Sequence, residues 1–208
     1  MFNKAAKIYA IADQETCLEN DVDILEFVQI LYNAGIEIVQ YRNKLDNLLF
    51  AGETFEEMMQ GTEGGMCYII NDHEKLANKY STENDVLLHA GQGDAVKNPE
   101  TRYGRSTHTL AEVEAAIKDR HAPQYLAFGA MFASPTKPDV AVNQADLEKV
   151  MKLWNGDLVL IGGITLENIS TLPKGDKIYY AVLSDFFANG SEPEQIEKRA
   201  KDLLNKLL

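Results

Sequence analysis

The amino-acid sequence predicts a (β/α)₈ barrel, and three features support this fold class. Eight short apolar runs alternate with amphipathic stretches, which is the pattern of repeated βα units. The length of 208 residues is near the lower limit for such a barrel. Polar residues follow nearly every apolar run, as a single ring of βα loops requires. A doubly wound sheet, the alternative fold, would instead gather them at one switch point.

The predicted strands are apolar runs bounded by glycine or polar residues. They cover Lys7–Ala12, Ile36–Tyr41, Met66–Ile70, Val86–Leu88, Tyr103–Ser106, Gln124–Phe128, Leu158–Ile161 and Lys177–Leu183. No linker rich in Pro, Gly or Ser divides these runs, so we expect residues 1–208 to form one domain.

The predicted helices carry apolar residues at intervals of three and four positions. In the first, an apolar stripe runs through Ile24, Phe27 and Leu31, and Gly35 is a natural C-cap. Gly61 stops the second helix. The predicted helices are Val22–Ala34, Leu48–Gln60, Glu74–Tyr80, Leu110–Arg120, Asp146–Trp154 and Pro193–Leu207.

Charge and cysteine content narrow the class of partner and the compartment. The chain has 32 acidic and 20 basic residues, and the net charge of -12 disfavours nucleic acid and anionic membrane as partners. An anionic small-molecule substrate would therefore need local cations. Two cysteines, Cys17 and Cys67, make a disulfide framework implausible. No apolar run has the length of a signal peptide or membrane span, so we expect a cytoplasmic protein.

Two carboxylates follow the third and fourth predicted strands, Asp72 in the segment IIND and Asp94 in the segment HAGQGD. Parallel strands would bring them to the same edge of the sheet, where their oxygens could share a hard cation such as Mg²⁺. Loop carboxylates also serve as helix N-caps. Taken alone, the two residues leave both interpretations open.

Cations and an amide follow the second predicted strand. Alternation along an extended strand would place Gln40, Arg42 and Lys44 on one face. Arginine can hold a phosphate with two hydrogen bonds and lysine can act as a mobile point charge. Solvated charges at a strand end are the alternative.

The loops after the last three strands have features of a phosphate site. Hydroxyls and a lysine lie in Phe128–Lys137, and Gly162 and Gly163 would let backbone N–H groups approach an anion closely. Plain turns are the alternative. His89 and His108 lie where strands end, but no Ser/His/Asp order emerges, so we expect structural or hydrogen-bonding roles for them.

Seven short motifs, in this order along nearly the whole chain, make the sequence resemble the thiamine phosphate synthase family. They are QYRNK, IINDHEKLA, HAGQGD, GRSTHT, FGAMFASPTK, IGGIT and VLS. The family joins a pyrimidine diphosphate to a thiazole phosphate in a (β/α)₈ barrel. The resemblance therefore implies a Mg²⁺-dependent transferase that binds small phosphorylated substrates, with a homodimer as a reasonable assembly.

The resemblance also implies roles for individual residues. The pyrimidine diphosphate would bind to Gln40, Arg42, Lys44, Asn71 and Ser106. Asp72 and Asp94 would hold Mg²⁺, and Lys137 would contact the departing diphosphate. The thiazole phosphate would bind to Ser134, Thr136 and the backbone N–H groups of Gly163, Leu183 and Ser184. Lys137, Arg42 and Ser106 are the expected catalytic residues.

The sequence departs from the family pattern at a few positions. Ala90 replaces a usual Leu and Ser134 a usual Thr, while Pro135 and Pro138 stiffen the loop of Lys137. Asp185 directly follows Ser184, so we expect a negative charge beside the thiazole phosphate.

Two other functions fit the same resemblance. A thiazole tautomerase of this superfamily would share GRSTHT, but it generally lacks the two metal carboxylates and carries a His where this chain has Ala130. A non-catalytic barrel that binds a phosphorylated ligand is the third interpretation, since fold alone does not fix function.

Overall fold

The computed structural model describes residues 2–45, 48–81, 86–133 and 141–207, and it contains a closed barrel of eight parallel strands. Each strand pairs with the next in the chain, and the last pairs with the first. The predicted (β/α)₈ barrel is therefore confirmed over the doubly wound alternative. The strands are β1 (Ile8–Asp13), β2 (Ile38–Arg42), β3 (Cys67–Asn71), β4 (Val86–Ala90), β5 (Tyr103–Thr107), β6 (Tyr125–Gly129), β7 (Asp157–Ile161) and β8 (Ile178–Val182).

Seven α-helices and three short 3₁₀ helices lie in the described parts of the chain. The α-helices are α1 (Gln14–Glu19), α2 (Ile24–Ala34), α3 (Leu48–Gly61), α4 (Glu74–Tyr80), α5 (Leu110–Lys118), α6 (Leu147–Leu153) and α7 (Pro193–Leu207). The 3₁₀ helices are Gln144–Asp146, Ile169–Thr171 and Ser184–Phe187. The sequence interpretation missed α1, which follows β1 directly and begins with Asp13 as its N-cap. None of the helices in these described ranges combines the length and apolarity needed to cross a bilayer.

Alternation along the strands separates the barrel interior from the surface that packs against the helices. Ile38 belongs to the inner apolar cluster, whereas its neighbours Val39 and Tyr41 pack in the outer cluster. Gln40 and Arg42 therefore share the inward-facing set of β2 with Ile38. Of the three residues predicted to share one face, Gln40 and Arg42 lie on the inside of the barrel, whereas Lys44 follows the end of β2.

Aromatic rings fill the amino end of the barrel. The ring centroid of Phe2 lies 5.1 Å from that of Tyr125 and 4.9 Å from that of Tyr179. The backbone N–H of Phe2 donates to Asp157 Oδ2 at 3.2 Å, which holds the N-terminal segment across this end. These rings close the amino end of the barrel interior. A polar site inside the barrel can therefore form only toward the carboxyl ends of the strands.

Gly104 in β5 provides the space for the ring of Tyr125. A Cβ atom at this position would lie 2.0 Å from Tyr125 Cζ and 2.1 Å from its Cε1. Glycine within a strand often marks such a close approach. The ring cannot move aside easily, because Tyr125 is fully buried beside Phe2 and Tyr9.

We expect Gly104→Ala to lower the free energy of unfolding by roughly 2–3 kcal/mol, because overpacking a filled core forces strain into its neighbours. Denaturant unfolding measures this change. Gly61→Ala at the end of α3 is the matched control, since its Cβ would meet only the side chain of Gln29, at 3.3 Å. Equal stability of the two variants would show that Tyr125 is not confined by Gly104.

Candidate active site

Polar side chains from four adjacent strands line the carboxyl end of the barrel interior. Gln40, Asn71 and His89 are buried there, and Ser106 is half-buried. The strand register places Asn71 opposite His89, and His89 opposite Gly104, two residues before Ser106. The structure therefore brings the predicted pyrimidine residues Gln40, Asn71 and Ser106 to the carboxyl ends of adjacent strands.

Arg42 is held at this mouth by a carboxylate that the sequence interpretation did not single out. Its guanidinium Nη1 donates to Oδ1 of Asp13, which is almost fully buried. The other carboxylate oxygen, Oδ2, accepts from Thr16 N at 3.3 Å and from Thr16 Oγ1 at 2.9 Å. The N-cap of α1 and the orientation of Arg42 thus depend on the same side chain.

Lys44 and Asp72 form an ion pair with 3.2 Å between Nζ and Oδ2. Both side chains are partly exposed, so water screens the pair and it adds little stability. Asp72 caps no helix, because α4 begins after His73 and the Asp72 carboxylate contacts Lys44 instead. Lys44 can therefore exchange this partner for a phosphate at small energetic cost.

Asp72 and Asp94 border the same small space next to Gly91. Asp94 Oδ2 accepts from Gly91 N at 3.0 Å, and a Cβ on Gly91 would lie 2.7 Å from that oxygen. The same point is 3.7 Å from Asp72 Oδ1. Asp72 adopts a left-handed backbone with φ of 63°, which is uncommon for a residue other than glycine and is often found at functional sites.

The donor set of this space fits a hard cation that is shared with a substrate. Both available protein ligands are carboxylates, and the described residues contain no group of three His, Cys, Asp or Glu side chains able to hold a metal ion. Mg²⁺ commonly takes one or two carboxylates and completes its shell with phosphate oxygens and water. The hydrogen bond from Gly91 shows that Asp94 also orders its own loop, but no described helix begins there, so Asp94 is not a helix N-cap.

Arg105 of β5 braces the loop that carries Asp94. Its Nη1 donates to the carbonyl oxygen of Asp94 at 2.9 Å, and its guanidinium lies 5.1 Å from the ring centroid of Tyr103. The motif GRSTHT contains this residue, but spacing alone gave no reason to connect it with the preceding loop.

His89 is a buried neutral side chain at the centre of the polar wall. Its Nδ1 lies 2.8 Å from Tyr125 Oη, and its Nε2 lies 2.8 Å from Ser106 Oγ. Burial lowers the pKa of His89 to about 4, so the imidazole is uncharged near neutral pH. The predicted hydrogen-bonding role agrees with these contacts.

Backbone N–H groups after β7 and β8 form the opposite side of the mouth. Gly163 has φ of 62°, and a Cβ there would lie 2.7 Å from the carbonyl oxygen of Ala133. Leu183 is half-buried just beyond β8, and Ser184 is exposed. The N–H groups of Gly163 and Ser184 donate to no backbone carbonyl among the described residues.

The carboxylate of Asp185 does not present an uncompensated charge to this side of the site, which corrects the expectation from sequence. Its oxygens accept from Arg199 of α7, with 2.7 Å between Oδ1 and Nη2 and 3.1 Å between Oδ2 and Nε. Oδ2 also accepts from Leu166 N at 3.0 Å. Asp185 and Arg199 are both buried, so this pair joins the loops after β7 and β8 to α7.

The predicted residues Ser134, Thr136 and Lys137 lie outside the described residues, as do Pro135 and Pro138. The flanking backbone is well fixed. Met131 N donates to the carbonyl of Ile161 at 2.9 Å, and Asn143 N donates to the carbonyl of Ala130 at 2.8 Å.

Comparison with known proteins agrees with this barrel and its motifs. The sequence model described as thiamine monophosphate synthase matches residues 8–185. The chain belongs to the thiamine monophosphate synthase family. The family match includes every strand and the predicted metal-binding, pyrimidine-binding and phosphate-binding residues, so the resemblance seen in the motifs is confirmed.

Relatives within the family match most of the chain. A thiamine-phosphate synthase of Koribacter versatilis is 30% identical over 98% of this chain and 97% of its own length. One from Pelotomaculum thermopropionicum is 32% identical over 79% of this chain and 77% of its own. The solved structure of thiamine phosphate pyrophosphorylase from Pyrococcus furiosus has a TM-score of 0.80 at 22% identity and covers 99% of this chain and 96% of that one. That structural likeness supports the fold.

Proposed function

We propose that this protein is a transferase that joins 4-amino-2-methyl-5-hydroxymethylpyrimidine diphosphate to 4-methyl-5-(2-hydroxyethyl)thiazole phosphate. The products would be thiamine phosphate and diphosphate. Membership of the family supports this assignment, as do the names of its relatives. The observation that carries it is the pair of carboxylates, Asp72 and Asp94, which border one space at the barrel mouth.

Each part of the site would bind one part of the substrates. The aminopyrimidine would lie against Gln40, Asn71 and Ser106, and its diphosphate would reach Arg42 and Lys44. The thiazole phosphate would bind on the other side of the mouth. Its proposed ligands are Ser134, Thr136 and the backbone N–H groups of Gly163, Leu183 and Ser184.

The reaction needs charge stabilisation more than a base. The bond between the pyrimidine methylene carbon and the diphosphate oxygen breaks, and its electron pair leaves with diphosphate. The thiazole nitrogen then donates its lone pair to the delocalised carbocation and forms the new C–N bond. No proton moves in either step, which suits a site whose buried histidine is neutral.

Arg42 and Lys137 would stabilise the negative charge that develops on the departing diphosphate. Arg42 is suited to this role because Asp13 already fixes its guanidinium, so little reorganisation accompanies the step. Mg²⁺ held by Asp72 and Asp94 would supply further positive charge to the diphosphate oxygens. We further propose that residues 1–208 act as one domain. A cytoplasmic location and a homodimer stay predictions.

The assay is direct. Purified protein is incubated with both substrates and Mg²⁺, and thiamine phosphate and diphosphate are quantified over time. Reactions without the thiazole phosphate, or with the metal chelated, serve as controls. Equal amounts of the two products, formed only in the complete reaction, would support the synthase.

The absence of product with Mg²⁺ and with Mn²⁺ would overturn the proposed function. Binding of the thiazole phosphate without turnover, measured by calorimetry, would then favour the non-catalytic phosphate-binding barrel.

A further inference from the structure

Three buried side chains that the proposed reaction does not use form a hydrogen-bonded chain across the barrel. Gln40 Nε2 donates to Tyr9 Oη at 2.7 Å, and Tyr9 Oη lies 2.8 Å from Tyr125 Oη. Tyr125 Oη lies 2.8 Å from His89 Nδ1, and His89 Nε2 lies 2.8 Å from Ser106 Oγ. The chain therefore begins and ends on residues assigned to the pyrimidine.

With the amide nitrogen of Gln40 facing Tyr9, one order of protons gives every member of this chain a partner. The amide nitrogen of Gln40 can only donate, so the Tyr9 hydroxyl accepts there and must place its own proton on Tyr125. Tyr125 then donates to His89 Nδ1, and the Nε2–H of His89 donates to Ser106. In the reverse order the Tyr9 proton would have no acceptor among the described residues, in a site where Tyr9 is 1% exposed.

The two ends of the chain consequently have opposite polarity. Ser106 Oγ accepts from His89, so its own proton is directed away from His89 and is free to be donated to a ligand. Gln40 turns its amide nitrogen to Tyr9, and its Oε1 accepts from no described residue. A ligand between these ends meets a hydrogen-bond donor at Ser106 and an acceptor at Gln40.

We propose that Tyr9, Tyr125 and His89 are positioning residues that impose this polarity. They would select a heterocycle that offers a hydrogen-bond acceptor to Ser106 and a donor to Gln40, as an aminopyrimidine does through a ring nitrogen and its amino group. The assignment of the ligand as a pyrimidine rests on the proposed function. The order of protons along Tyr9, Tyr125 and His89 does not depend on the proposed function.

Packing holds the hydrogen-bonded side chains of Tyr9, Tyr125 and His89 in place. Gly104 admits the Tyr125 ring, and the rings of Tyr9 and Tyr125 are 6.0 Å apart between centroids. The ring of His89 stacks on Tyr125 with an interplanar angle of 24°. The hydroxyls are therefore fixed before any ligand arrives, which is what preorganisation of a binding site requires.

Nitrogen-15 NMR of the imidazole in the substrate-free protein tests the polarity. We expect His89 to carry its proton on Nε2 alone, and Tyr125→Phe to produce a mixture of the two tautomers. Tyr179→Phe is the matched control, because it removes a hydroxyl from the same inner cluster without touching the chain. A wild-type His89 protonated on Nδ1 would overturn the proposal.

Kinetics test the consequence for binding. We expect Tyr125→Phe to raise the KM for the pyrimidine diphosphate by roughly fivefold, the effect of one lost hydrogen bond, with the KM for the thiazole phosphate unchanged. If Tyr125 had a purely structural role, Tyr125→Phe would lower Tm without raising the KM for the pyrimidine diphosphate selectively. Equal effects of Tyr125→Phe and Tyr179→Phe on that KM would count against the proposal. A protein without synthase activity but with the Nε2–H tautomer would refute the proposed function and leave the ordered chain intact.

Discussion

Asp94→Asn should lower turnover by roughly 100-fold or more while the barrel remains folded, because preorganised charge at a departing group often contributes that much to catalysis. Asparagine keeps an oxygen that can accept from Gly91 N, so the loop retains the 3.0 Å hydrogen bond seen with Asp94. What the variant loses is the negative charge that would attract Mg²⁺ to the space beside Asp72.

The measurement pairs kinetics with metal binding. Turnover is followed as a function of Mg²⁺ concentration, and Mn²⁺ binding in the presence of inorganic diphosphate is followed by electron paramagnetic resonance. Glu100→Gln, an exposed change with the same loss of charge, is the control. Turnover that persists with the same Mg²⁺ dependence would show that Asp94 only orders its loop.

Arg199→Met should lower the free energy of unfolding by about 3–4 kcal/mol, because removing one partner of a buried ion pair leaves the other charge uncompensated. Among the residues that the structure describes, the Asp185 carboxylate would keep only the hydrogen bond from Leu166 N. Because that bond and the ion pair tie together the loops after β7 and β8, we also expect a raised KM for the thiazole phosphate.

Denaturant unfolding gives the stability change, and a double-mutant cycle with Asp185→Asn isolates the pair. We expect the second substitution to recover part of the loss, since it removes the stranded charge. Lys198→Met on the same helix is the control, because Lys198 forms an exposed pair with Asp202. A loss no larger than that of Lys198→Met would contradict the structural role assigned to Asp185.

Much of the fold could be predicted because its signals are local. Every predicted strand and helix is present, with ends displaced by at most two residues. The observed strand ends differ from the predicted ones because hydrogen bonding to the neighbouring strand, rather than composition, decides where a strand stops. Helix α1 escaped prediction because it is short and follows β1 without the glycine or proline that usually marks a boundary.

The candidate site was predictable where residues follow a strand. The parallel register alone brings the carboxyl ends together, so Gln40, Arg42, Asn71 and Asp72 had to meet near one mouth. Their partners were not predictable in the same way. Asp13 lies 29 positions from Arg42, and no sequence spacing connects the two side chains.

The sequence by itself determined the barrel, the family and the strand exits that carry the polar residues, because periodicity and ordered motifs survive without coordinates. Only the tertiary structure decided which charged groups form ion pairs and which groups share each hydrogen bond. It turned Asp185 into one half of a buried ion pair and His89 into a link between Tyr125 and Ser106. The reason is physical: burial and hydrogen-bond direction depend on groups far apart in the chain, and folding alone brings them within 3 Å of one another.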